Sequence, residues 1–169
     1  GGPAMTETRE FRYVSHKRRV KEDKRFVTGR GKFAADIQLP GMLHVAMVSS
    51  PYACAEIKSI DAEQALALPG VRYVLTGAEL FEHINPLLSG LDLPNVKRLP
   101  LAHGRARYAG EWVAAVVADS RHIAEDAMEL VEIDYEMLDH VIDPEKALED
   151  GAPLVHPENG SNVFFNRKW

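Results

Sequence analysis

Residues 110–137 read GEWVAAVVADSRHIAEDAMELVEIDYEM, and three different periodicities follow one another within them. A strand is expected from Glu111 to Asp119, because WVAAVVA within it is continuously apolar, β-branched at Val113, Val116 and Val117, and bounded by Gly110 and Asp119. Such a run is expected to be a strand buried on both faces, because a half-exposed strand alternates. Ser120 stands where a hydroxyl can accept the first free amides of a helix. Ile123, Ala124, Ala127, Met128 and Val131 then recur at helical spacing. From Leu130 to Tyr135 the pattern alternates, with Val131, Ile133 and Tyr135 on one side and Glu132 and Asp134 on the other. The helix is therefore expected to lie on the sheet and to lead directly into a second strand.

Working outward, Pro40 and Gly41 make a turn into the strand-length run MLHVAMVS, Met42 to Ser49, which Pro51 ends. Ala55 to Ile60 alternates as a second strand, and Asp61 can cap a short helix through Leu68, stopped by Pro69 and Gly70. Val71 to Thr76 is the next strand, followed by a helical turn from Gly77 to Ile84. Asn85 to Pro100 carries Pro86, Gly90, Pro94 and Pro100 without periodicity and reads as a long loop. On the other side, Asp143 and Pro144 open a short helix to Leu148, and Gly151 closes it. The remainder has no periodic element and ends on Phe164, Phe165 and Trp169, an aromatic end expected of a chain cut from something larger. The order of elements gives an α+β fold class, mixed strands with packed helices.

The 169 residues are 46% hydrophobic and 27% charged, as in an ordinary soluble globular chain. A formal net charge of -5 argues against general nucleic-acid binding, which needs a basic face. No stretch reaches the roughly 20 apolar residues of a membrane helix, so membrane insertion is not expected. The single cysteine, Cys54, excludes an intrachain disulfide and any thiolate cluster from this chain alone, which fits a reducing, cytoplasmic setting. Gly1 to Ala4, ahead of Met5, reads as a tag remnant. Residues 6–25 are polar, with Lys17, Arg18, Arg19, Lys21, Lys24 and Arg25 close together. They read as an arm, either a strap for an acidic partner surface or a solvated tail.

Residues capable of chemistry do not assemble into a signature. Gly29 and Gly31 flank Arg30 ahead of Phe33, a turn rather than a phosphate loop, since no Lys-Ser/Thr pair follows. The histidines at 16, 44, 83, 103, 122, 140 and 156 form neither an HExxH pair nor a short Cys/His cluster. His44, inside an apolar strand, reads as a hydrogen-bonded structural residue. Asp134, Glu136, Asp139, Asp143 and Glu145 lack the glycine and terminal Glu of a calcium loop and read as a solvated or interface edge. Ser49 and Ser50 have no nucleophile elbow, and no local signature activates Cys54. Glu111, beside Trp112, reads as a strand-end carboxylate bonded to backbone rather than as a general acid. No catalytic, cofactor-binding or metal residue is assigned. The remaining candidate is the loop at Leu87, Leu88, Leu91 and Leu93, four apolar residues outside any element. It either covers a partner surface or packs on itself.

Three segments, taken together, resemble a known family. RFVTGRGKFAADIQLPGMLHVAMVSSPYACAEIKSID (25–61), ALALPGVRYVLTGAEL (65–80) and RYAGEWVAAVVADSRHIAEDAMELVEIDYEMLDHVIDPEKAL (107–148) follow one another as in a particular enzyme domain. This is the amino-terminal α/β-hammerhead domain of the xanthine dehydrogenase, aldehyde oxidase and carbon monoxide dehydrogenase large subunits. The likeness lies in Gly29, Gly31, Asp36, Pro40, Gly41, Ser50 and Pro51, in the Pro69-Gly70-Val71 turn, and in Tyr108, Gly110, Glu111, Tyr135 and Asp143. Cys54 stands where many members of that family carry a histidine.

The resemblance implies a structural and interface domain of a molybdenum hydroxylase, without the active site and inactive alone. The family's catalytic carboxylate and molybdopterin-binding glycine segments belong to later domains of the large subunit. It further implies molybdopterin with molybdenum in the complete subunit, and iron–sulfur clusters and FAD on partner subunits or domains. Oxygen would come from water, and electrons would leave through the clusters to flavin or another acceptor. In such a subunit the loop at Leu87–Leu93 would help shape a substrate funnel. The expected organisation is residues 1–25 as tag remnant and basic arm, 26–150 as the hammerhead domain, and 151–169 as a linker toward the molybdopterin-binding domains. The alternative reading is a freestanding hammerhead binding module with no catalytic activity.

Overall fold

The computed structural model describes residues 23–87 and 98–166. The chain divides into two compact units, residues 1–40 and 41–169.

In the first unit, α1 (Asp23–Val27) takes up the last residues of the basic arm. The Thr28 hydroxyl donates to the Lys24 carbonyl at 2.6 Å, and Gly29 reverses the chain at φ 68°. Only a residue without Cβ enters that left-handed conformation at low cost. Gly31 answers a different demand: a Cβ there would lie 2.2 Å from the Phe26 ring. The turn expected from Gly29 and Gly31 thus brings Phe33 back onto Phe26, with the rings stacked at 5.3 Å.

The second unit holds two three-stranded sheets, and every strand pair among the described residues is antiparallel. β1 (His44–Ser49), β5 (Trp112–Ala118) and β3 (Val71–Thr76) form one sheet in the order β1-β5-β3. β4 (Arg105–Ala106), β2 (Ala55–Asp61) and β6 (Glu132–Met137) form the other in the order β4-β2-β6. Between these strands lie α2 (Glu63–Ala67), α3 (Gly77–His83) and α4 (Arg121–Met128). The α+β class and its strands stand as read from the sequence, apart from β4, whose two residues carry no periodicity.

Apart from the exposed Trp112 at its start and the half-buried Val117, the apolar run of β5 is buried on both faces, although its neighbours run antiparallel. Ala114, Val116 and Ala118 join clusters with Ala124 and Ala127 of α4, while Val113 meets Ala102 and Ala106, packed by Ile57, Ile133 and Tyr135. Alanine faces alanine where α4 crosses the sheet, so the helix backbone lies close to it. Ser120 caps α4, its hydroxyl accepting the Ile123 amide at 3.3 Å.

The spacing of β2 has a local cause. Ala55, Ile57 and Ile60 turn inward, a step of two and then of three residues, and the register with β6 slips between Ile57 and Ser59. Lys58 is the extra residue of this bulge. Asp61 is the last residue of β2, and its carboxylate accepts the Glu63 amide at 2.9 Å ahead of α2. The helix expected after Pro144 is reduced to a 3-10 turn, Lys146–Leu148, with the Asp143 carboxylate accepting the Glu145 amide at 2.9 Å.

Candidate functional site

The start of β5 is tied to the end of β1 by a pair of backbone hydrogen bonds. The Ser50 amide donates to the Glu111 carbonyl at 2.8 Å, and the Gly110 amide donates to the Ser50 carbonyl at 2.7 Å. The Ser50 hydroxyl accepts the Tyr52 amide at 3.2 Å, so this buried serine is occupied by the backbone around it. The Glu111 carboxylate accepts the Arg107 amide in a short hydrogen bond. Arg107 in turn reaches out of the β4–β5 connection. Its Nη1 donates to the Arg105 carbonyl at 3.1 Å and its Nη2 lies 3.5 Å from Glu158 Oε1. Glu158 also meets His156 Nδ1 at 2.9 Å.

Around this line of contacts lies a cleft of about 450 Å³, bordered by Phe81, Leu87, Arg98, Tyr108, Glu111 and His156 among others. A second hollow of about 300 Å³ is bordered by Cys54, Asp139, His140 and Leu154. Arg107, Tyr108 and Val155 belong to both walls. The floor of the larger cleft is fixed from α3: the Phe81 and His103 rings stack at 4.9 Å. Gly77 lies so close to the chain that an added Cβ would stand 1.8 Å from the Ala102 carbonyl oxygen. The Leu87 amide donates to the Arg98 carbonyl at 2.7 Å, which closes the base of the long loop.

Glu158 is paired with both Arg107 and His156 on the wall of the cleft. Burial pushes the Glu158 carboxyl up, but the hydrogen bond from His156, a backbone amide and the Arg107 charge together hold it below the usual carboxylate range. Elsewhere Arg72 grips Asp119 with two bonds, 2.7 and 2.8 Å, which lowers that carboxyl. On the outer face of β2 and β6, Glu56 and Glu136 stand directly opposite, and Lys58 lies 3.0 and 2.5 Å from them.

Similarity to known proteins decides the family. Residues 28–139 match the sequence pattern described as "Aldehyde oxidase and xanthine dehydrogenase, a/b hammerhead domain". The chain belongs to this hammerhead family. It is 46% identical over 145 residues to the carbon monoxide dehydrogenase large chain of Afipia carboxidovorans, covering 84% of this chain and 17% of that relative. It is 39% identical over 145 residues to the nicotine 6-hydroxylase large subunit of Paenarthrobacter nicotinovorans, covering 84% and 18%. Among solved structures, quinoline 2-oxidoreductase from Pseudomonas putida 86 superposes with a TM-score of 0.72 at 46% identity, over 78% of this chain and 17% of that one. The chain thus spans about a sixth of the length of these relatives.

Within the hammerhead domain the candidates from the sequence are scattered. Of the loop leucines, Leu87 is exposed on the rim of the cleft, while Leu88, Leu91 and Leu93 lie outside the described residues. His44 is half-buried in β1 opposite Ala118, and its ring makes no hydrogen bond among the described residues. His140 Nδ1 lies 3.4 Å from the Leu138 carbonyl. Cys54 is a buried thiol at the edge of β2. No group of three or more His, Cys, Asp or Glu among the described residues is placed to hold a metal ion. No helix among them is long and apolar enough to cross a membrane. Sequence reasoning passed over Arg107, Glu158 and Asn162 as site residues and considered His156 only as a metal ligand. No local spacing links Arg107 to the other three, because the chain brings them together only by returning after β6.

Proposed function

We propose that this chain is the structural and interface domain of a molybdenum hydroxylase large subunit, and that the reaction takes place in other parts of that subunit. The observation that carries the reading is the hammerhead match over 28–139 in a chain that spans only 17% of the carbon monoxide dehydrogenase large chain. In that setting molybdopterin belongs to the complete subunit, and iron–sulfur clusters and FAD to partner subunits or domains. Bound there, the molybdenum–pterin group supplies the two-electron oxidation of substrate. The residues of the cleft do not fit that cofactor. Arg107 keeps one buried donor without a partner among the described residues, its Nε, but its Nη atoms serve Arg105 and Glu158, and the Glu111 and Glu158 carboxylates would face the phosphate anion. No step is therefore assigned to this chain's own side chains.

The reading places the protein in the cytoplasm and gives residues 151–169 the role of leading toward the molybdopterin-binding domains. The loop at Leu87, Leu88, Leu91 and Leu93 would shape substrate approach or meet a neighbouring domain. Its base is pinned at Leu87 and Arg98, and a loop on a fixed stem can hold such a shape.

The test compares the full-length polypeptide, purified from its source cell with whatever copurifies, with the 169-residue chain. Stoichiometric molybdenum and pterin are expected in the first and background levels in the second. Dye reduction with carbon monoxide, quinoline, nicotine and xanthine should be confined to the first. A natural polypeptide ending at Trp169 with no copurifying molybdenum protein would sink the proposal and favour a freestanding module.

A further inference from the structure

The family match ends at residue 139, yet ordered contacts continue to Phe164. The Asn162 side chain makes three hydrogen bonds to main chain. Its Oδ1 accepts the Val155 amide at 3.1 Å, and its Nδ2 donates to the carbonyls of Ala147 at 3.1 Å and Pro153 at 3.0 Å. Within the closed loop a 3-10 turn, Pro157–Asn159, ends at Gly160 with φ 70°, and the Asn159 side chain donates to the Ser161 carbonyl at 2.7 Å. The loop meets the sheet through Glu158 and Arg107, and the Phe164 ring sits edge-on to His156 at 5.3 Å. His156 and Arg107 are 15% and 19% exposed while Glu158 is 41% exposed, so the contact is shielded on its cationic side and open to solvent at the carboxylate.

We propose that residues 153–166 are a docked strap, knotted by Asn162 and latched to the sheet by Arg107 through Glu158, and that its seating forms one wall of the cleft. Val155, His156 and Glu158 are that wall. Because the Arg107 amide is itself held by the Glu111 carboxylate, the latch joins the residue that precedes β5 to the strap.

Hydrogen exchange of the full-length protein, read by mass spectrometry, tests this without reference to any substrate. In the unmodified protein the amides of residues 155–163 should exchange well below the rate of a free peptide. Asn162→Ala and, separately, Glu158→Gln should each speed that exchange about tenfold while leaving Val113–Val117 of β5 unchanged. In an Arg107→Met background Glu158→Gln should add less than it does alone, since the partner is already gone. Free-peptide rates in the unmodified segment, or no acceleration in either variant, overturn the strap. A fully additive effect in the double variant overturns Arg107 as its latch. Should Asn162→Ala also loosen β5, the Glu158→Gln result decides between these outcomes.

Discussion

The β1-β5-β3 sheet and the β4-β2-β6 sheet share one core but hold their neighbours in different ways. Under α4 the first sheet uses the smallest side chains available: Ala114 and Ala118 of β5 meet Ala124 and Ala127, and the helix is held by shape. Around the second sheet, polar groups from distant segments do the joining: Arg107 to Glu158, and Lys58 between Glu56 and Glu136. Close packing tolerates almost no added volume, whereas exposed polar contacts tolerate replacement. The two regions should therefore respond very differently to substitution.

The largest effect is expected at the seam between α3 and the 101–103 segment. Gly77→Val places a side chain on the Ala102 carbonyl, and urea unfolding should show a loss of about 3 kcal/mol or more. A smaller loss would mean that α3 moves away freely. Next comes Ala127→Leu, which overfills the helix–sheet contact. The expected loss is about 2 kcal/mol by the same measurement, and an unchanged midpoint would show unused space beneath α4.

Acid should act on the polar region. The folded carboxyl of Glu158 lies below its ordinary value of 4.5, so its contribution is present above that pH and drains away as pH falls through the lower folded value. Measured against the free-peptide rate at each pH, protection of the strap amides should fall below pH 4.5 in the unmodified protein, and that fall should be absent in Glu158→Gln. Smallest of all is Lys58→Gln. Its ammonium is fully exposed, and although Glu56 and Glu136 would then face each other unscreened, the thermal midpoint in physiological salt should hardly move. A clear drop there would show that the outer face of β2 and β6 matters more to stability than its exposure allows.

This contrast also explains what could be read in advance. WVAAVVA, the Ser120 cap and the alternation after Leu130 are local signals, and each produced the element it implies. The bulge at Lys58 was equally written in the two-then-three spacing of Ala55, Ile57 and Ile60, although alternation alone hid it. Beyond these, periodicity fails. β4 is two residues long and exists because Ala55 and Glu56 offer it a partner, and Arg107 meets Glu158 only after the β5–α4–β6 stretch has turned the chain back. Such contacts belong to topology, and no window along the chain contains both members.

The position of β6 has a further consequence. It is the outer strand of its sheet, and Glu132, Asp134 and Glu136 stand on one of its faces. Two copies laid edge to edge would bring rows of carboxylates together, so the open hydrogen-bonding edge repels its own kind. A nascent hammerhead on a crowded polysome can thus expose that edge without recruiting its neighbours into a shared sheet. The acidic face of β6 disfavours pairing between copies at the same edge that the sheet leaves open.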